Sequence, residues 1–169
     1  MEINKKKIRV ADRKKYIVQY RTSPDNDYMK HWRVIRYWAM KRYDVTAPEL
    51  DILFFLYSER LFNYSKFLEF CNIMSWDRAR FKTLKDKGFI HVWRKPAWKE
   101  IRMYEMTGPA KRMINSIYKK MNREEPIPVS IRRNPIMRPD GKYADKVMAI
   151  AILNFNSEIR ARQQRLVLE

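Results

Sequence analysis

A chain of 169 residues with 46% apolar and 14% aromatic content can bury one sizeable core, which excludes a wholly disordered protein. Its 37 Lys and Arg against 19 Asp and Glu leave a net charge of +18, so its surface seeks polyanions: nucleic acid before an anionic membrane surface or an acidic protein. With only three Gly a Gly-rich phosphate loop is excluded, and with Cys71 as the only cysteine so are an intramolecular disulfide and a cysteine-rich zinc site.

The longest apolar runs, 52–57 and 147–153, are too short to cross a bilayer of roughly 30 Å. The polar start Met1-Glu2-Ile3-Asn4 is no secretion signal. The expected place is therefore the cytoplasm of a bacterial or phage-infected cell, or a virus particle made there, and membrane binding is not expected.

Residues 1–27 read as a basic arm with Lys5, Lys6, Lys7, Arg9, Arg13, Lys14, Lys15 and Arg21, in which 16–20 has the pattern of a short strand. The breaker at 23–27 ends it. From Tyr28 to Tyr43, Met29, Trp32, Ile35 and the pair at 38–40 recur at helical spacing with cations between them. Thr46-Ala47-Pro48-Glu49 predicts a capping box, with Val45 and Leu50 as its hydrophobic staple, opening a helix with a buried run over 50–57. A polar break at 58–60 precedes a short helix from Tyr64, with Phe67, Leu68, Phe70 and Cys71 apolar, and a turn at 72–74. Ser75 then caps a helix over 76–87, with Phe81 and Leu84 facing inward, and Gly88 stops it in left-handed geometry.

Alternation replaces helical periodicity over 89–94 and 101–106, which predicts a β-hairpin with a basic tip. Thr107 and Pro109 start a further helix whose apolar stripe runs from Ala110 to Met121. Four prolines within 123–139 predict an extended linker. Residues 140–169 read as a helix for docking or oligomerisation, apolar nearly all round over 147–153. Such a helix cannot stand alone, so it should dock on another chain or on the helices at 28–43 and 107–122, and Val147, Ile150 and Leu153 are its interface candidates.

The order helix, short helix, turn, helix, Gly, hairpin, helix is mainly α with a small β wing, a winged helix-turn-helix, flanked by the arm and by the linker with its terminal helix. Within residues 28–122 the sequence resembles the MarR-type winged-helix DNA-binding regulators in Val45-Thr46-Ala47-Pro48-Glu49-Leu50-Asp51-Ile52-Leu53, in Leu84-Lys85-Asp86-Lys87-Gly88-Phe89-Ile90, and in Glu100-Ile101-Arg102 leading to Met106-Thr107-Gly108. The resemblance implies that Trp76, Ala79, Lys82 and Thr83 face the major groove of duplex DNA and that Arg102 is the wing arginine. Two positions depart from the family pattern, which has Thr or Ser at Trp76 and Arg at Ala79, so phosphate contact is favoured over base reading.

The DNA-binding candidates are Trp76, Arg78, Arg80, Lys82, Thr83 and Lys85 on the helix and Lys95, Lys99 and Arg102 on the wing. A solvated helix face that also includes Lys87 is the bland alternative for these cations. Trp93 and Trp98 suit packing or a partner interface more than base stacking, and His31 and His91 read as core-edge or surface residues. Arg132-Arg133 is either a phosphate strap or a solubilising linker. No nucleophile stands at sensible spacing from a base, so neither an active site nor a cofactor or metal is expected. Two functions compete: a dimeric DNA-binding regulator, and a winged helix reused as a structural component of a large assembly such as a phage particle.

Overall fold

The computed structural model describes residues 28–69, 78–94 and 101–168. The basic arm and its strand at 16–20, Phe70, Cys71, the turn at 72–74, the Ser75 cap, Trp76 and the hairpin tip with Lys95, Trp98 and Lys99 lie outside the described residues.

Local signals set most boundaries. Helix α1 (Met29–Tyr43) ends where Asp44 turns left-handed at φ 52°. Helix α2 (Ala47–Ser58) opens with the expected capping box: Thr46 accepts from the Glu49 N–H, and the Thr46 N–H donates to Glu49 Oε2 at 2.7 Å. Val45 and Leu50 are buried beside it as the staple. Strand β1 (Phe62–Asn63) runs directly into α3 (Tyr64–Glu69), whose first turn is capped by Asn63 accepting from the Lys66 N–H. Then follow α4 (Arg78–Asp86), β2 (Ile90–Val92), β3 (Met103–Met106) and α5 (Gly108–Met121), the last capped by Thr107.

The sheet is antiparallel in the order β1-β3-β2, with Phe62 opposite Tyr104 and Ile90 opposite Met106. This is a mainly helical winged-helix architecture with a small sheet. Strand β1 was not expected, because a two-residue strand cannot show alternation. Beneath the sheet, Phe67 and Tyr104 meet the Phe81 ring edge-on at 4.8 and 5.0 Å, which fixes α4 to α3 and β3.

The segment after α5 corrects the expectation of an extended linker. It folds back as a strap with a 3-10 turn at Pro135–Met137. Proline tolerates that first-turn position because its missing N–H would have no partner there. Buried Asn134 accepts from the Ile136 N–H and donates to the Pro128 carbonyl, and Ile127 and Ile136 are buried in the core. Asn156 ties Ile127 to the final helix, α6 (Tyr143–Leu168), through both backbone groups. Arg132 and Arg133 are exposed on the strap.

Helix α6 packs on α1 and on the 3-10 turn. Met148, Ile152, Phe155 and Ile159 form its buried face at helical spacing. The run over 147–153 is thus not enclosed on every side. At the joint, Glu158 Oε2 accepts from Lys30 at 2.9 Å and pairs with His31 at 3.0 Å, while the His31 ring lies 4.9 Å from Phe155. Half-buried His31 is thus a core-edge residue, as the sequence reading has it. Tyr57, placed in the buried run, is exposed at the end of α2.

A buried lysine was not foreseen. Lys120 on α5 is 1% exposed, with its ammonium 4.6 Å from the Trp38 ring centre, 2.8 Å from Ser116 Oγ and 3.0 Å from Glu125. Burial pushes its pKa down, and Glu125 only partly restores it. The folded chain thus holds this proton less tightly than the unfolded chain does, and the charge costs stability at neutral pH that is recovered as pH rises toward the unfolded value of about 10.4. Lys120→Met should match or exceed the parent in stability at pH 7, with the difference moving in the parent's favour by pH 10 in urea unfolding. A loss above about 2 kcal/mol at pH 7 would contradict this account.

Candidate nucleic-acid interface

Helix α4 has an inner and an outer face, set by the spacing of its apolar residues. Phe81 and Leu84 are buried, while Ala79, Lys82, Lys85 and Asp86 are exposed and Thr83 is half-buried. The Thr83 hydroxyl donates to the Ala79 carbonyl at 2.9 Å, so it is turned back on its own helix. Arg80 is half-buried and already engaged within the chain. Arg78 opens the helix. The outer face thus offers Lys82 and Lys85 most openly.

Lys87 does not belong to that face. Its ammonium donates to Glu49 Oε2 at 3.0 Å and to the Asp44 carbonyl at 2.9 Å, which ties the exit of α4 to the start of α2. Gly88 follows at φ 74°, the left-handed geometry expected there. On the other side, the Thr107 hydroxyl donates to the Gly88 carbonyl at 2.9 Å and the Thr107 N–H to the Phe89 carbonyl at 2.9 Å. Nothing local could have flagged the Lys87 tie, since its partners lie 38 and 43 residues away.

The wing places Arg94 and Arg102 in solvent on either side of the tip. Trp93 is 47% exposed, with the Arg94 guanidinium 5.5 Å from its ring centre. The packing role weighed for Trp93 is therefore not a core role. Together with Tyr57, Arg60, Leu61, Glu105 and Lys111 it lines a cleft of about 550 Å³. Glu105 is held there by Lys111 at 2.9 Å and by exposed His91 at 3.3 Å. This grouping is not legible in the sequence, because it arises only when β1 joins the sheet.

The outer face of α6 carries the interface candidates Val147, Ile150 and Leu153 at 42%, 62% and 52% exposure, with Tyr143 on the same side. The apolar stripes of α1 and α5 are instead spent inside the chain, on each other and on α2 and α6. Among the described residues no helix is long and apolar enough to cross a membrane.

No profile of a known protein family and no curated protein matches the sequence. A solved structure described as disulfide-formed AbfR is similar over 84% of this chain and 88% of its own, with 11% identity and a TM-score of 0.40.

The tie at Glu49 generates a prediction. Burial raises the Glu49 pKa, but the Thr46 N–H and Lys87 outweigh it and hold the carboxyl below its ordinary range. A depressed carboxyl contributes stability that is fully present above its unfolded value and lost as pH falls through the folded one. Glu49→Gln should therefore cost about 1–2 kcal/mol at pH 7, allowing for solvent screening at part-exposed Lys87, and the gap to the parent should close below about pH 4. Denaturation midpoints at both pH values check this; an unchanged gap in acid would rule out the charged pair.

Proposed function

We propose that this protein binds duplex DNA as a MarR-like transcription regulator, with α4 in the major groove and the β2–β3 wing against the backbone. The observation that carries the reading is the division of cations around α4: Lys87 is consumed in fixing the helix, while Lys82 and Lys85 stand exposed on its outer face, and Arg94 and Arg102 are exposed on the wing. A helix about 10–12 Å across fits the major groove, and an adjoining hairpin reaches the flanking phosphates. Recognition by charge requires no catalytic group and no cofactor. Arg78 from the first turn, with Lys95 and Lys99 at the wing tip, would complete the set of phosphate contacts.

Binding of this kind displaces counterions. Lys82→Gln, Lys85→Gln and Arg102→Gln should each lower the slope of log affinity against log salt by about 0.9 on a duplex probe. Affinity that does not respond to salt, or slopes left intact by all three substitutions, would exclude this interface.

The exposed stripe on α6 favours a second element of the reading: the chain assembles, with itself or with other chains, through Val147, Ile150 and Leu153. An apolar stripe beside a filled core is surface that association can bury. The same stripe would serve a winged helix built into a larger particle. Ile150→Lys with Leu153→Lys should leave the circular dichroism unchanged and reduce the mass in light scattering. An equal mass for parent and variant would dismiss α6 as an assembly surface for copies of this chain.

A further inference from the structure

A second group of cations lies away from α4, on the outer side of α1 and at the entrance to α6. Arg33 and Arg36 line a groove of about 270 Å³ with Trp32, Tyr37 and Met40. Lys41, Arg138 and Lys142 line an adjoining groove of about 230 Å³ with Asp140 and Asp145. The two meet at Tyr37, whose hydroxyl donates to Asp145 at 2.8 Å and whose ring lies 5.7 Å from the Lys41 ammonium.

Of the two acids that line this face, Asp145 is paired with Lys41, and Asp140 forms no ion pair with the cations among the described residues. Asp145 is buried and already accepts from Tyr37 and from the Lys142 N–H, with Lys41 at 3.6 Å, and these partners hold its carboxyl below the ordinary range against the effect of burial. Its charge serves the fold. No carboxylate among the described residues pairs with the side chains of Arg33, Arg36, Arg138 or Lys142.

We infer that this face, formed by Arg33, Arg36, Lys41, Arg138 and Lys142, is a second binding surface for the phosphate backbone of nucleic acid. The cations are arranged as a track. From Arg33 to Lys41 the helix rises about 12 Å at 1.5 Å per residue. That matches three to four base steps at 3.4 Å along one strand. Half-buried Trp32 and Tyr37 line the same groove as Arg33 and Arg36, which is the pairing of charge and aromatic surface that nucleic-acid grooves use. The α4 and wing surface is not part of this face, so the inference goes beyond the proposed function and does not depend on it. With both surfaces occupied, one chain holds two segments of nucleic acid.

The test uses the full chain and a short duplex, comparing Arg33→Gln/Arg36→Gln/Lys142→Gln with Lys82→Gln/Lys85→Gln/Arg102→Gln. Salt slopes and the number of duplexes bound per chain are measured by titration and sedimentation. The α1 triple should lose one duplex per chain and lower the slope by about 0.9 per contact removed. Arg33→Lys/Arg36→Lys should keep both values, which separates charge from packing at half-buried Arg36. If the α1 triple keeps the parent's slope and stoichiometry, the inference fails whatever the α4 triple does. If only the α4 triple is silent, this face stands and the α4 reading fails. Loss of polyglutamate binding in the α1 triple, with DNA binding intact, would assign the face to an acidic protein and overturn the inference.

Discussion

One carboxylate oxygen, Oε2 of Glu49, receives both the Thr46 N–H and the Lys87 ammonium. The first contact closes the capping box that starts α2, and the second anchors the exit of α4. Because Lys87 also reaches the Asp44 carbonyl, the end of α1, the start of α2 and the end of α4 converge on one joint. Thr107 then holds the Gly88 carbonyl while capping α5, so the chain leaving α4 is fixed from both sides. A helix located by its exit and by the Phe81 ring contacts has no structural need of its outer cations. Of those, Lys82 and Lys85 are exposed and form no ion pair among the described residues.

The same division runs through the molecule. With 37 basic and 19 acidic residues, most carboxylates can be committed to structure and a cationic excess still remains. Glu158 joins α6 to α1 through Lys30 and His31, Glu105 joins the wing to α5 through Lys111, Glu59 joins α2 to α3 through Lys66, and Glu125 neutralises buried Lys120. Exposed pairs of this kind add little stability each. Their larger effect is on register, since each joins two elements at one defined place. Glu158 takes up Lys30 at one end of α1, and on α4 Asp86 stays exposed beside Lys82 and Lys85, so the cationic excess of each face is partial.

Signals that act within a few residues were legible in the sequence. Thr46 with Glu49, Thr107 with Pro109, Gly88 and the inward spacing of Phe81 and Leu84 each specify a boundary or a face through atoms one turn apart, and each stands where it was expected. What escaped depends on partners far along the chain. Strand β1 exists because Phe62 finds Tyr104, Lys87 is an anchor because it finds Glu49, and Lys120 is buried because Trp38 receives it. The proline-rich strap misled for a related reason: proline excludes helix interiors and central strands, but it permits a 3-10 turn once Asn134 supplies the cap. For the candidate interface, spacing alone separated the inner and outer faces of α4 but could not tell anchored Lys87 from open Lys82 and Lys85.

Helix α6 shows how one run of residues can serve two surfaces. The core needs side chains only at the spacing of Met148, Ile152, Phe155 and Ile159, and those positions fill the space left by α1 and the strap. Val147, Ile150 and Leu153 contribute nothing to that packing, yet they are as apolar as the residues that do. An exposed stripe of this size lowers solubility without adding stability unless something covers it. Lys142 of the basic groove immediately precedes α6 and Asp145 of its first turn lines that groove, so the start of α6 borders a charged surface and its middle carries an apolar one. Covering the apolar stripe with a second copy would therefore fix the α1 tracks of two chains in one orientation.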